Sequence, residues 1–142
     1  MTGNVVDALE EALYSAMAAD TTLLALAEWG GPEYAPDERE YPFIVLRLVD
    51  SSVHNMLGAR GWWEFVHRFT VYTAQSAQAG PDRPTANAAV ARLIAAFDRQ
   101  RLTVTGYTHI ASLVERPYRP DTSVMFGRAY AGVSVDLRTW LG

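Results

Sequence analysis

Tyr41-Pro42-Phe43-Ile44-Val45-Leu46-Arg47-Leu48-Val49, then Asp50 to Gly61, then Trp62-Trp63-Glu64-Phe65-Val66-His67-Arg68-Phe69-Thr70-Val71-Tyr72-Thr73 is the stretch on which the fold turns. The first segment is almost unbroken apolar chain and reads as a long strand. The last alternates, with Trp63, Phe65, Phe69 and Val71 on one face and Trp62, Glu64, Val66, Arg68, Thr70 and Tyr72 on the other. A period of two is the mark of a strand. The connection from Asp50 to Gly61 is too long for a tight hairpin and predicts a loop.

Working outward toward the N-terminus, Val6, Leu9, Leu13 and Met17 recur at steps of three and four, which predicts a helix over Val5–Ala19 with Asn4 as its cap. Asp20 is placed to cap a shorter helix, Thr21–Glu28, which Gly30-Gly31-Pro32 would end. Residues 33–40 read as an acidic loop. Toward the C-terminus, a loop over 75–84 precedes a helix, Thr85–Arg101, whose apolar face is Ala86, Ala89, Val90, Leu93, Ile94 and Phe97. A short strand at Leu102–Val104, a turn at Thr105–Gly106 and a strand over Tyr107–Arg116 follow, the last with Ile110, Ser112 and Val114 opposed to His109, Ala111 and Leu113. Pro117-Tyr118-Arg119-Pro120-Asp121 reads as a rigid turn. The closing strand is expected from Ser123 to about Arg138, with Met125, Ala129, Ala131, Val133, Val135 and Leu137 on one face and with Gly127 and Gly132 marking bends or a bulge.

The order is α-β-β-α-β-β. Four long strands cannot be covered on both faces by so few helices. The economical solution is an α+β fold: a two-layer sandwich of a mainly antiparallel four-stranded sheet with two helices on one face. The other face would meet solvent or a partner, with Trp62, Val66 and Tyr72 on it. With 142 residues, a single domain spanning 1–142 is expected.

Composition narrows the function classes. The chain holds no Cys, so neither a disulfide nor a thiolate zinc site is available. No apolar run approaches the roughly 18 residues of a membrane span, and no basic start leads into an apolar core, so no membrane partner or secretory signal is expected. Every one of the 12 cations is Arg, and the net charge is −4. An acidic domain repels phosphate and is a poor non-specific ligand for nucleic acid, while Arg suits interface ion pairs and stacking.

Catalytic motifs are missing. His54, His67 and His109 stand far apart with no i, i+4 pair, so no metal site is expected. His67 alternates with Phe65 and Phe69 and reads as a packed sheet histidine. There is no Gly-x-Ser-x-Gly, no phosphate loop and no dinucleotide fingerprint. Gly58-Ala59-Arg60-Gly61 reads as a flexible loop, and the acidic cluster Glu28, Glu33, Asp37, Glu38 and Glu40 lacks calcium-loop spacing. Neither a catalytic residue nor a cofactor is expected. Trp62-Trp63 leaves two readings open: both rings packed, or the outward one anchoring a protein interface. Arg116, Tyr118 and Arg119 pose the same choice.

Several segments together carry a resemblance: Leu9-Glu-Glu-Ala-Leu-Tyr14, Ala19-Asp-Thr-Thr-Leu-Leu-Ala-Leu26, Tyr41-Pro-Phe-Ile-Val-Leu46, Phe69-Thr-Val-Tyr-Thr73, the Ala-rich helix at 86–97 and Gly132-Val-Ser-Val-Asp-Leu137. In this order and spacing the chain resembles, over nearly its whole length, the tail terminator (tail completion, head–tail joining) proteins of long-tailed bacteriophages and gene-transfer particles. The resemblance implies a virion structural protein, assembled in the host cytoplasm, with no catalytic residues. It implies a ring, usually hexameric, that caps the tail tube, ends its growth and joins the head–tail connector, with DNA passing through the lumen without specific binding. Its implied partners are further copies of itself, the tail tube protein and the connector or stopper. His54, Met56, Leu57, Arg60, Trp62, Tyr72, Tyr118 and Arg119 are the candidate interface residues. The alternatives are another neck or tail-tube component, or a small ligand-binding or enzymatic α+β domain.

Overall fold

The computed structural model describes residues 4–29, 42–57, 59–73, 75–76, 80–81, 83–125 and 128–142. The expected helix stop at Gly30-Gly31-Pro32, the acidic loop 33–40, the strand start at Tyr41, and Gly58 and Gly127 lie outside the described residues.

Helix α1 is Val5–Ala19, and its buried stripe is Leu9, Leu13 and Met17. Asn4 Oδ1 accepts the Asp7 N–H at 2.9 Å, satisfying one of the donors a helix start leaves unpaired. Asp20, in extended backbone, ends α1 and starts α2, Thr21–Leu26. Its Oδ1 accepts the Leu23 N–H at 3.0 Å, and the carboxylate also receives Arg92 Nε at 3.1 and 3.0 Å. Burial pushes the Asp20 pKa up, but Arg92 and the Leu23 and Thr22 amides outweigh it and hold the carboxyl below its ordinary value. The second helix stops before the expected Glu28 because the chain turns extended at Ala27. Glu28–Trp29, strand β1, then pair in parallel with the start of β2.

Strands β2 (Phe43–Met56) and β3 (Ala59–Thr73) form one long ribbon. Register runs from Phe43↔Tyr72 to His54↔Trp62 and Met56↔Ala59, with a shift at Val49. The expected loop from Asp50 to Gly61 is therefore strand on both sides, and only positions 57 and 58 separate the ladders. The bulge at Val49 resets the alternation, so Ser51 and Val53 pair with Phe65 and Trp63, and the hydroxyl and β-branched residues lie on an edge strand that tolerates them. Two short strands, β4 (Gln75–Ser76) and β5 (Gly80–Pro81), pair within the expected loop after β3.

Helix α3 spans Arg83–Phe97 and stops short of Arg101. Arg99 takes a left-handed φ of 57° there, its N–H donates to Ser112 O at 2.9 Å, and Asp98 Oδ1 accepts the Val114 N–H at 2.9 Å. The helix end is thus pinned to β6 (His109–Met125). Leu102 and Val104 form no strand; they are buried as plugs beneath the layer.

Strand β6 and β7 (Arg128–Leu141) pair along their whole length. Pro117–Asp121 is not a turn. Residues 116–118 stand between Glu115↔Asp136 and Arg119↔Ser134, opposite Val135 alone, and form a bulge with φ of 45° at Arg116 and 58° at Tyr118. A bulge on an edge strand accommodates Pro117, which has no N–H to give a ladder. The chain reverses after Met125, so the closing strand begins later than Ser123 and reaches Leu141. A second irregularity at Ile110 breaks the expected alternation. It leaves His109 and Ser112 on the same face, joined Nε2 to Oγ at 2.7 Å.

The main sheet has the order β1-β2-β3-β7-β6, and its four long strands are antiparallel. Inward residues Ile44, Phe65, Phe69, Val71, Val133, Val135, Leu137 and Leu141 meet Leu9, Leu13 and Met17 of α1, Leu23 of α2 and Val90, Leu93 and Phe97 of α3. The rings of Phe69 and Phe97 stack at 5.2 Å. The helices share one face of the sheet, and the expected α+β sandwich stands. Trp63 packs inward, edge-on to Tyr107 at 5.5 Å, as the alternation predicts.

Candidate functional site

The second face of the sheet is polar where it was expected to be apolar. Alternate positions place Glu64 and Arg68 on β3, Asp136 and Arg138 on β7, and Glu115 on β6 side by side. Arg138 Nε donates to Glu115 Oε1 at 2.7 Å, and Arg138 Nη1 donates to Glu64 Oε1. Glu64 Oε2 meets His54 Nε2 at 2.7 Å and Ser52 Oγ at 3.4 Å. One row of polar contacts thus crosses all four long strands, from His54 to Glu115. His54, then Arg138, hold the Glu64 carboxyl below its ordinary pKa, and the two carboxylates raise that of Arg138. The next row is a two-pronged pair, Arg68 Nε and Nη2 to Asp136 Oδ1 and Oδ2 at 2.8 and 3.2 Å. Beyond it, Thr70 Oγ1 and Ser134 Oγ share a hydrogen bond of 3.1 Å. Charges that close on one another like this fix strand register and leave few free donors for a ligand.

The structure brings His54 and Trp62 together at the upper end of this face. Their rings stack at 5.1 Å with planes 15° apart, and the Glu64 contact holds the imidazole in place. Leu57, at the hairpin tip, is wholly exposed. Met56 and Arg60 flank it on the backbone; their side chains lie outside the described residues. Tyr72 is elsewhere. It is 6% exposed and packs 5.4 Å from the Phe43 ring. Gly132 lies opposite, where an added Cβ would come 3.0 Å from Val71 O and 3.1 Å from Tyr72 Cδ1. Val66 is likewise buried, so the apolar residues expected to need a neighbour on this face are largely covered by the chain itself. Tyr118 projects, 46% exposed, from the bulge on β6 at a distance along the strand from the tip. Arg119 follows it on the backbone, its side chain outside the described residues.

Sequence reasoning found both β2 and β6 as strands but not that they lie on the outside of the four long strands. Val49 and Val53 on β2, and Ile110 and Leu113 on β6, are exposed apolar side chains. Periodicity could not single them out, because a strand's place in the sheet is not written in its own pattern.

On the helix side, His67 is fully buried. Its Nε2 lies 3.3 Å from Glu10 Oε1, and its Nδ1 has no hydrogen-bond partner among the described residues. Burial lowers its pKa against the opposing pull of Glu10. This packed sheet histidine is as expected. Two surface hollows, of about 340 and 240 Å³, lie between α1 and residues 101–105 and beside His109–Leu113. Among the described residues no group of three or more acidic or His side chains could hold a metal ion, and no helix is long and apolar enough to cross a membrane.

No family model matches the chain, and no curated protein matches its sequence. Solved structures do match its fold. One is a chain in the virion of a native gene transfer agent particle, with 21% identity and a TM-score of 0.61 over 99% of this chain and 100% of that one. Another is the gp17 protein of bacteriophage SPP1, with 15% identity and a TM-score of 0.58 over 97% of this chain and 95% of that one.

Proposed function

We propose that this chain is a structural virion protein of a phage or gene-transfer particle, and within that class a tail terminator. It forms a ring, of hexameric order, on the end of the tail tube, stops tube growth and joins the tail to the head connector. The observation that carries this reading is the end-to-end likeness of fold to a chain of a gene transfer agent virion and to a bacteriophage protein, added to the segment-by-segment resemblance of the sequence. Residues 1–142 act as one domain without catalytic chemistry. Its partners are other copies of itself, the tube protein and the connector, and DNA crosses the lumen without specific contacts. The net charge of −4 suits such a passage, since a lumen that held phosphates would slow them. The hairpin tip, with Leu57 and the His54–Trp62 stack, is the surface offered to the tube or connector, along with the flanking Met56 and Arg60. The Tyr118–Arg119 bulge is a second contact, and Tyr72 supports the sheet from within.

Particles made without this protein provide the test. Overlong tubes lacking heads are expected, in virions where the protein otherwise sits at the neck. Loss of all tubes would instead identify a tube subunit and overturn the terminator reading.

A further inference from the structure

We infer that the hollow between the end of α3 and the start of β6 is a binding site for a single phosphate group, held by Arg99 and Arg101. The inference is independent of the ring described above, and its failure leaves that reading untouched.

The hollow, of about 240 Å³, has Arg99, Gln100, Arg101, His109 and Ser112 as its polar lining. Among the described residues no carboxylate lines it, although the chain as a whole carries a net charge of −4. Elsewhere Arg68, Arg92 and Arg138 each close on a carboxylate. Arg99 and Arg101 form no ion pair among the described residues. Arg101 also borders the larger hollow beneath α1 without closing on Glu11 there. Asp98, next to Arg99 in sequence, is engaged with the Val114 N–H. Two guanidiniums with unmet donors therefore share one hollow in an acidic protein.

The backbone that carries these donors is fixed in advance. The Arg99 N–H donates to Ser112 O at 2.9 Å, and the Asp98 contact ties the same segment to β6 a second time. Arg99 holds φ at 57°, where a helix end ordinarily places Gly or Asn. Across the hollow, His109 Nε2 and Ser112 Oγ lie 2.7 Å apart. If Nε2 donates, the hydroxyl keeps its own hydrogen for a ligand; if Nε2 accepts, Nδ1 carries one. Burial, then the Arg101 charge, lowers the His109 pKa, so positive potential gathers at this wall.

Each guanidinium is a planar fork that meets two oxygens at once. Two forks, an amide and the His109–Ser112 pair supply more donors than the two oxygens of a carboxylate absorb. They suit the tetrahedral oxygens of phosphate. The hollow admits several waters, and so has room for one such group.

Chemical-shift titration of the full chain with inorganic phosphate, at constant ionic strength and mildly alkaline pH, tests the site. Saturable shifts are expected for the amides of residues 99–101 and 109–113. The His109 ring should shift with them, and its titration midpoint should rise, because a dianion beside it favours the imidazolium. Arg101→Gln, at an exposed position, should weaken binding at least about fivefold. Arg99→Gly should do the same while keeping the wild-type circular dichroism, since glycine suits the left-handed position. Acetate at the same ionic strength is the control. A duplex DNA oligonucleotide that shifts the same residues in the wild type but not in Arg101→Gln identifies a phosphodiester as the source; a response to phosphate without one to DNA identifies the free ion. Shifts that do not saturate, acetate shifts equal to those of phosphate, or an affinity unchanged in both variants overturn the proposal.

Discussion

His67 makes the stability of this protein fall in mild acid, by an amount the structure bounds. The imidazole is buried between α1 and the sheet, with Glu10 its partner at 3.3 Å and Nδ1 unpaired among the described residues. Tyr14 Oη donates to the other Glu10 oxygen at 3.3 Å, and burial, then Glu10, raise the Tyr14 pKa to about 12, so it stays neutral throughout. Burial depresses the His67 pKa in the folded chain below the ordinary 6.5. Above that value both the folded and unfolded states hold His67 neutral, and no penalty exists. As pH falls through the unfolded value, the unfolded chain takes up a proton that the folded chain refuses. Stability then drops by up to about 1.4 kcal/mol per pH unit until the folded value is reached. Between pH 6.5 and 5 the loss is up to about 2 kcal/mol, which for a chain of this size lowers Tm by up to about 4–8 °C.

The assay is Tm against pH for the wild type and for His67→Leu, which cannot titrate and leaves Glu10 partly open to solvent. Leucine also removes a buried polar ring with an unmet nitrogen, so stability at pH 7 should change by less than about 1 kcal/mol in either direction. His109, depressed by burial and by Arg101, contributes a slope of the same sign in both proteins, so the difference between the two curves isolates His67. A His67→Leu protein with the full wild-type acid slope, or a His67 ring signal titrating at or above pH 6.5 by NMR, refutes the reasoning.

Asp20→Ala should cost about 2 kcal/mol in urea unfolding, roughly half from the lost cap on α2 and half from the Arg92 contact. A double-mutant cycle with Arg92→Ala should return a coupling of about 0.5–1 kcal/mol, because Arg92 is 38% exposed. Gly132→Ala should lose about 1–3 kcal/mol, since its Cβ presses on a backbone carbonyl that cannot swing aside; an unchanged Tm would mean that β7 shifts freely against β3. Replacing Met56–Ala59 with Asn-Gly should leave Tm within a few degrees and abolish incorporation into particles, and loss of the fold instead would place the tip in the core.

The parts of the fold that were legible in the sequence are those with long, regular periods. Leu9, Leu13 and Met17 mark α1, Val90, Leu93 and Phe97 mark α3, and Phe65, Phe69 and Val71 mark the inward face of β3. Each is buried where its spacing puts it. Local punctuation misled at two places. Ser51-Ser52 with Gly58 and Gly61 looks like a loop, but pairing with Phe65 and Glu64 holds the serines in strand. Pro117 and Pro120 look like a turn, but a long partner strand carries β6 past them at the expense of a bulge. In both cases a contact distant in sequence outweighs the preference of the residues themselves.

The candidate site was less legible, and for a related reason. The exposed residues at the hairpin tip can be guessed from their neighbours. The charged row from His54 to Glu115 cannot, because it needs the register of four strands at once. Sheet order matters still more. The chain makes β2, β3, β6 and β7 in that sequence, but β7 returns to lie beside β3 and pushes β6 to the outside. Only that reversal turns Ile110 and Leu113 from members of an ordinary alternating strand into exposed residues of an outer one, whose main-chain groups at Ser112 and Val114 are met by Arg99 and Asp98 from the end of α3.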